Sequence, residues 1–149
     1  MAVNPIPKGY HTVTPFIIVK DARKLIEFLK QAFGAEVMHV SEHEGVVMHG
    51  EVKIGDSMVM LAESSDKFPA VTANHYLYVT DTDAVYKQAI AAGAESTMEP
   101  ADQFYGDRNA GVKDFAGNNW WMATHIEDVS PEEIQKRMDE MNEKRKAQE

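Results

Sequence analysis

One segment of the chain occurs twice, and this repetition constrains the fold more than any other feature. The first copy runs from Val19 to Val37, and the second runs from Val79 to Glu95, sixty residues further along. Each copy ends an apolar run, turns at an aspartate, continues with a helical pattern around Lys-Gln-Ala and leaves through Gly-Ala-Glu. The repetition indicates two copies of one module.

The first copy predicts an amphipathic helix over residues 21–33. Apolar residues recur three or four positions apart from Leu25 to Phe33, which places them on one face of a helix. Asp21 is the predicted N-cap, because its carboxylate can accept hydrogen bonds from the free amides of the first turn. Gly34 is the predicted C′ residue, since helices commonly end with a left-handed residue there.

Both modules have the order β-α-β-β-β. Strands are predicted at residues 12–19, 36–40, 46–54 and 58–62 in the first module, and at 75–79, 95–98, 110–113 and 119–124 in the second, with the second helix at 83–92. The predicted fold class is α+β, with two tandem βαβββ modules that form a curved, cup-like mixed sheet with the helices outside. A ferredoxin-like α+β domain is the alternative.

We expect one domain over residues 1–126, with modules at about 10–63 and 73–125, followed by a helical tail over 127–149. The tail begins with Ser130-Pro-Glu-Glu133, which is the pattern of an N-cap, proline at the first helical position and glutamate at N3. Its apolar stripe is narrow. The helix is therefore expected to dock on the domain or on a second subunit. Separately, we expect the protein to be a homodimer.

Composition excludes several classes of function. The net charge is −9, and no basic cluster is present that could neutralise phosphates, so nucleic-acid binding is not expected. There is no cysteine, and hence no disulfide framework or thiolate zinc site. No apolar run approaches the roughly 20 residues that span a bilayer, and the start does not resemble a secretory signal. We expect a cytoplasmic protein without membrane contact.

Several segments resemble a known family. The frame that begins Val19-Lys-Asp-Ala-Arg and ends Ala-Phe-Gly-Ala-Glu36 is similar to the vicinal oxygen chelate superfamily, which includes glyoxalase I, bleomycin-resistance proteins and extradiol dioxygenases. The segment Asp114-Phe-Ala-Gly-Asn-Asn-Trp120 resembles the family's last hairpin. More closely, the segments at 47–55, 102–108 and 123–133 resemble a glyoxalase-like branch labelled 3-demethylubiquinone methyltransferase-like. The resemblance covers almost the whole chain.

The resemblance also implies where a metal would bind. Catalytic members hold a metal by side chains from the first and last strand of each module, and the matching positions are Thr14, Met60, Asn74 and Trp121, or His75 after a one-residue slip. These side chains are not the carboxylates and imidazoles that divalent cations prefer. We therefore expect no metal and no cofactor. The alternative is a divalent metal held by a different set of side chains.

If those positions face a cavity, alternation along the strands supplies the rest of its lining. An apolar, aromatic pocket of this kind suits a flat aromatic or apolar small molecule. The residues expected to bind the ligand are Phe16, Met58, Met60, Asn74, Tyr76, Tyr105, Arg108 and Trp121. The alternative is that the apolar members are ordinary core residues and that Arg108 pairs with Asp102 or Asp107.

His49 and Glu51 are the candidate catalytic pair. They lie two apart on a predicted strand and so project from the same face, where a histidine beside a carboxylate can serve as a general base. The favoured interpretation is a small-molecule binding protein without the standard metal site. The alternative is a lyase or isomerase that uses this pair, either without a metal or together with a noncanonical divalent metal. A pure interaction module that acts through the tail helix is a third hypothesis.

Overall fold

The computed structural model describes residues 2–149 and confirms the predicted fold class. The elements in chain order are β1 (Phe16–Val19), α1 (Ala22–Phe33), β2 (Glu36–His43), β3 (Val46–Ile54), β4 (Ser57–Glu63), β5 (Asn74–Tyr78), α2 (Thr82–Ala91), β6 (Glu95–Asp102), β7 (Asp107–Lys113), β8 (Asn119–His125) and α3 (Pro131–Lys146). They form two four-stranded mixed sheets, in the orders β1-β4-β3-β2 and β5-β8-β7-β6. The described strands do not close into a barrel.

The caps of α1 follow from the residues at its ends. Asp21 adopts a left-handed conformation with φ 69° and accepts a hydrogen bond from the amide of Lys24 at 3.1 Å. The carboxylate of Glu63 accepts from the amides of Asp21 and Ala22, each at 2.8 Å. Gly34 ends the helix at φ 64°. Both predicted caps are confirmed, and β4 supplies a further acceptor for the N-terminus of the helix.

Each sheet has one face covered by its helix. In the first module, alternate residues of β1 and β4 such as Val19 and Leu61 are buried against α1. Phe16 and Met60 are neighbours in the parallel ladder and occupy the opposite face. We call the side of each sheet that is turned away from its helix the open face. Most of the residues predicted to bind a ligand lie on these two open faces.

The turn between β7 and β8 explains the segment Asp114–Trp120. Asp114 is 5% exposed, and its carboxylate accepts hydrogen bonds from the amides of Ala116 and Asn118 and from the indole Nε1 of Trp120, at 2.8 to 3.0 Å. Asn118 in turn accepts from the amide of Ala73 at 3.0 Å, which ties the turn to the start of β5. The motif that carried the family resemblance is thus a structural one, and it fixes the register of β8.

The two modules meet chiefly through their helices. The side chain of Gln88 on α2 donates to the backbone carbonyl of Gln31 on α1 at 2.8 Å. The ring of Phe33 lies 5.4 Å from the ring of Trp120, so the cores of the modules are continuous. Within residues 2–149, no helix is long and apolar enough to cross a membrane.

The structure corrects several predicted boundaries. β1 begins at Phe16 rather than at residue 12, just after Pro15, which has no amide hydrogen to donate to a ladder. The larger difference is in the second module, where β6 extends to Asp102 and β7 begins at Asp107. The long gap between the strands predicted at 95–98 and 110–113 therefore shrinks to a tight connection. This connection carries Tyr105 to the open face of the second sheet.

Candidate functional site

A cavity of about 280 Å³ lies on the open face of the second sheet. Its lining combines three aromatic rings, a thioether and two amides, none of which is charged at neutral pH. The lining residues are Tyr76, Met98, Gln103, Tyr105, Asn109 and Trp121. Tyr76, Tyr105 and Trp121 were predicted ligand-binding residues, and the structure brings them together. The composition is typical of a small-molecule site, where apolar walls surround a few polar groups.

Trp121 forms a flat wall because its neighbour on β7 is a glycine. Gly111 pairs with Trp121 in the ladder, and a Cβ placed on Gly111 would lie 2.9 Å from the nearest atom of the indole. The indole Nε1 donates to the side-chain oxygen of Asn74 at 3.3 Å. Asn74, predicted as a ligand-binding residue, thus contacts the wall of the cavity and orients it.

A hydrogen-bond network centred on Asp107 lies beside the cavity. Asp107 is 5% exposed, and its Oδ2 accepts from the hydroxyls of Tyr76 at 2.9 Å and Tyr78 at 3.1 Å. Its Oδ1 lies 3.0 Å from Nδ1 of His125. Burial acts to raise the pKa of Asp107, but the hydrogen bonds from His125 and the two tyrosines outweigh it and hold that pKa below its usual range. The carboxylate is therefore ionised and accepts from both tyrosines.

His125 is held between two carboxylates. Its Nε2 lies 2.7 Å from Asp128, while Nδ1 faces Asp107. Hydrogen bonds to Asp128 and Asp107 raise the pKa of His125. Because both ring nitrogens already have acceptors, the imidazole cannot take a proton from a ligand without giving up one of these bonds. His125 and its two carboxylates are therefore arranged to stabilise charge rather than to transfer protons.

Asn109 connects this network to the cavity wall. It is 3% exposed, and its Nδ2 donates to the hydroxyl oxygen of Tyr76 at 3.2 Å and to that of Tyr105 at 2.6 Å. Its Oδ1 is buried without a hydrogen-bond partner among residues 2–149. Burial is the largest factor that raises the pKa of Tyr76, so this ring stays a neutral phenol. The rings of Tyr76 and Tyr105 are thereby fixed at their polar ends.

The structure turns Arg108, a predicted ligand-binding residue, away from the cavity. Asp107 and Asn109 face the cavity side of β7, and alternation turns Arg108 to the side of α2. There its guanidinium binds both oxygens of Asp83, at 2.7 and 2.8 Å, and Asp102 at 3.0 Å. Arg108 therefore joins α2 to the end of β6.

The other predicted residues lie on the first sheet. Phe16 is 56% exposed on the open face, and its ring lies 6.3 Å from that of His49. Met60 pairs with Phe16 on β1 and with Glu51 on β3, while Met58 is buried at 8% exposure. None of these side chains lines the 280 Å³ cavity. Within one chain the structure does not join the two halves of the predicted pocket.

His49 and Glu51 do meet on the open face of the first sheet. Nε2 of His49 lies 3.5 Å from Oε1 of Glu51. Burial and the neighbouring Glu51 carboxylate raise the pKa of Tyr10 to about 12. Tyr10 in turn is the largest factor that lowers the pKa of Glu51, so the carboxylate is held in its ionised form.

The side chains at the family's metal positions do not fit a divalent cation. Asn74 already accepts from the Trp121 indole, and an indole N–H offers no lone pair. Thr14 donates to the carbonyl of His11 at 3.2 Å, and Met60 offers only a thioether. Across residues 2–149, no group of three or more histidine, aspartate or glutamate side chains is placed to hold a metal ion.

A larger cleft of about 990 Å³ lies between the modules. It is bounded by Phe33 on α1 and by β5, and His75 stacks on Trp120 there with ring centroids 4.3 Å apart. Burial lowers the pKa of His75, so its imidazole is neutral. Much of the cleft wall is formed by residues that pack the modules together. The smaller cavity is the better candidate site because its polar groups are ordered by hydrogen bonds.

Sequence reasoning missed Asp107, Asn109 and His125. Asp107 and Asn109 fell outside the predicted strand over 110–113, and His125 fell just outside the predicted strand over 119–124. The register of the last hairpin carried the signal: Lys113 opposes Asn119, and counting outward from this pair places Asp107 opposite His125. A predicted β7 that began at Asp107 would have placed Asp107 opposite His125.

Comparisons with known proteins extend this description. The model of the Glyoxalase/Bleomycin resistance protein/Dioxygenase superfamily matches residues 10–122. Uncharacterised proteins from Mycobacterium bovis and from Mycobacterium tuberculosis strain H37Rv are each 31% identical to the chain. The alignments cover 93% of this chain and 96% and 86% of those proteins, respectively. These matches show the superfamily but not the 3-demethylubiquinone methyltransferase-like branch.

Solved structures show the same fold. TioX from Micromonospora sp. ML1 superposes with a TM-score of 0.66 at 20% identity, over 76% of this chain and 99% of that protein. The fosfomycin resistance protein FosX from Mesorhizobium loti gives a TM-score of 0.58 at 16% identity, over 76% of this chain and 91% of its own. The family model matches most of the chain. The chain belongs to the glyoxalase/bleomycin resistance protein/dioxygenase superfamily.

Proposed function

We propose that the protein binds a small, flat organic molecule in the cavity on the second sheet. The observation that carries this proposal is the combination of three aromatic rings with a hydrogen-bond network that holds two of them in place. Rings fixed before binding lose little conformational freedom when a ligand arrives. The indole of Trp121 lies against Gly111 and lines the cavity, where an aromatic ligand can stack on it.

Thermal-shift screening of one- and two-ring aromatic compounds tests the proposal. A ligand at 100 times its dissociation constant adds about 2.7 kcal/mol to the free energy of unfolding. We expect compounds that stabilise the wild type to lose this effect in Trp121→Leu and to keep it in Tyr86→Phe. Tyr86 makes a matched control because its hydroxyl bonds Ser96 outside the cavity lining. Hits that stabilise Trp121→Leu equally would place binding elsewhere.

We further propose a homodimer in which a second copy covers the open faces. Phe16 is 56% exposed on the first face, and Tyr76 and Tyr78 are 43% and 68% exposed on the second. Because each chain carries one face of each kind, a two-fold axis lets the first face of either copy lie over the second face of the other. Both copies then bury the same surfaces, as closed symmetric dimers do.

A lyase or isomerase that uses His49 and Glu51 is the second candidate function. The approach of their side chains to 3.5 Å on an open face favours it. The lowered pKa of Glu51 makes its carboxylate a weaker base, which is why binding is the first proposal. Metal analysis of protein purified without chelator separates the two. Stoichiometric metal that is lost in His49→Ala would support the enzyme and contradict binding without a cofactor.

A further inference from the structure

The direction of each hydrogen bond beside the cavity determines which tyrosine hydroxyl is free to donate to a ligand. The Asp107 carboxylate can only accept, so Tyr76 spends its single proton on that carboxylate. The oxygen of Tyr76 must then accept from Asn109, which assigns Nδ2 rather than Oδ1 to that contact. The orientation of the Asn109 amide follows from the buried charge.

The same amide group donates to the oxygen of Tyr105 at 2.6 Å. A phenol oxygen that accepts a hydrogen bond still carries its own proton. Within the described chain, 2–149, Asn109 is the one group at normal hydrogen-bond distance from the hydroxyl of Tyr105, the oxygen of Tyr76 being a more distant neighbour, and Tyr105 lines the cavity. The wall therefore offers one polarised O–H donor to whatever occupies the cavity.

The charges around the cavity disfavour an anion. The two arginines that approach this end of the module are committed elsewhere, since Arg108 pairs with Asp83 and Asp102 and Arg137 pairs with Glu127. The charge of His125 is compensated by two carboxylates, and the whole chain carries a net charge of −9. An anion would lose its hydration without gaining a cation in exchange.

We propose that the cavity selects an uncharged, planar ring compound that presents a hydrogen-bond acceptor, such as an amide or ketone carbonyl, to the hydroxyl of Tyr105. This inference rests on the proposed function and narrows it to a chemical class. Stacking on Trp121 supplies affinity without discrimination among flat rings. The hydroxyl of Tyr105 and the missing cation supply the selectivity.

Three matched probes test the inference: 2-naphthamide, which is neutral with an acceptor; 2-naphthoate, which has acceptors and a charge; and 2-methylnaphthalene, which has neither. Binding is measured by NMR titration of the indole N–H of Trp121, assigned by comparison with Trp121→Phe. We expect 2-naphthamide to bind about fivefold more tightly than 2-methylnaphthalene, as one neutral hydrogen bond allows. We expect 2-naphthoate to bind about tenfold more weakly than 2-naphthamide.

Two variants test whether the hydroxyl of Tyr105 is the source of the preference for 2-naphthamide. Tyr105→Phe is expected to reduce the affinity for 2-naphthamide to that for 2-methylnaphthalene, and Tyr86→Phe is expected to leave all three affinities unchanged. Tight binding of 2-naphthoate, or an unchanged preference in Tyr105→Phe, would overturn the inference while leaving small-molecule binding intact. If none of the probes shifts the Trp121 signal, the binding function itself is contradicted along with the inference.

Discussion

At the level of single residues, the cavity depends on a position that has no side chain. A Cβ on Gly111 would meet the hydroxyl of Thr97 at 2.6 Å and atoms of the Trp121 indole at 2.9 and 3.0 Å. Glycine is thus required because the indole lies directly on the strand, and not because of an unusual backbone angle. The flat wall of the cavity is encoded by two residues on neighbouring strands.

We expect Gly111→Ala to displace the Trp121 ring and to lower the free energy of unfolding by about 1–3 kcal/mol, the usual cost of an overpacked site. Urea unfolding gives the stability, and the chemical shift of the Trp121 indole N–H reports the ring. Gly50→Ala is the matched control, because its Cβ would meet Leu61 at 2.9 Å on the helix side of the first sheet. The control should lose stability without moving the Trp121 signal.

The pair of Asp107 and His125 gives the stability a defined dependence on pH. The pKa of His125 is raised from 6.5, so its contribution is fully present below that pH and is lost as the pH rises through the folded pKa. The pKa of Asp107 is lowered from 3.8, so its contribution is present above that pH and is lost on further acidification. Both contributions are complete between these two values.

His125→Gln should therefore be destabilised relative to the wild type at about pH 5.5, and the difference should shrink at about pH 9. Urea unfolding midpoints at the two pH values measure this change. The control is His43→Gln, since His43 is an exposed residue at the end of β2. A difference that stays constant between the two pH values would show that His125 acts through packing alone.

The candidate site shows which residues a sequence can identify. Tyr76 and Trp121 were found because they lie within strands that alternate clearly. Arg108 was assigned to the ligand because it lies between the strands predicted at 95–98 and 110–113, where alternation could not be applied. Contacts between distant strands, such as Asp107 with His125, depend on where each strand ends. Strand ends are the part of the pattern that local residues define least well.

At the level of elements, local signals were sufficient. Asp21 and Gly34 cap α1 as predicted, and Ser130 accepts from the amide of Glu133 at 3.2 Å as the predicted N-cap of α3. These features were predictable because a cap is decided by residues three or four apart in sequence. What could not be predicted is where α3 lies. The structure ties it to its own chain through the hydrogen bonds of Arg137.

Arg137 joins α3 to the connection between β6 and β7. Its guanidinium donates to the backbone carbonyl of Phe104 at 3.1 Å and binds both oxygens of Glu127, at 3.0 and 2.8 Å. The carbonyl of Gly106 accepts from the amides of Ile126 and Glu127, which holds the same connection from the other side. The tail helix thus fixes the short segment that positions Tyr105.

We expect Arg137→Met to speed amide hydrogen exchange at Gly106, whose N–H donates to the carbonyl of Gln103 at 3.2 Å, and to weaken binding of 2-naphthamide. Hydrogen exchange followed by NMR gives the first effect, and the Trp121 titration gives the second. Lys144→Met, near the far end of the same helix, is the control and should change neither. Unchanged exchange in Arg137→Met would show that the segment holds its conformation without the helix.

At the level of the whole molecule, duplication leaves a single chain with two unpaired open faces. The second module encloses its cavity on one side and leaves the other side open. On the first sheet, Phe16, His49 and Glu51 face outward. A second copy would bring these first-sheet residues over the cavity of its partner. The predicted pocket, which the isolated chain divides between two faces, would then be assembled from both chains.

Two phenylalanines with the same exposure provide the test of this assembly. Phe16 on the first open face and Phe68 in the connection between the modules are both 56% exposed. We expect the wild type to sediment at twice its chain mass of 16.7 kDa, and Phe16→Ser to weaken association about tenfold through loss of a buried aromatic contact. Phe68→Ser should leave association unchanged, because that side chain lies outside both faces. Sedimentation equilibrium over a range of concentrations gives the association constant of all three proteins. A monomeric wild type, or equal weakening of association by both substitutions, would contradict the pairing of open faces.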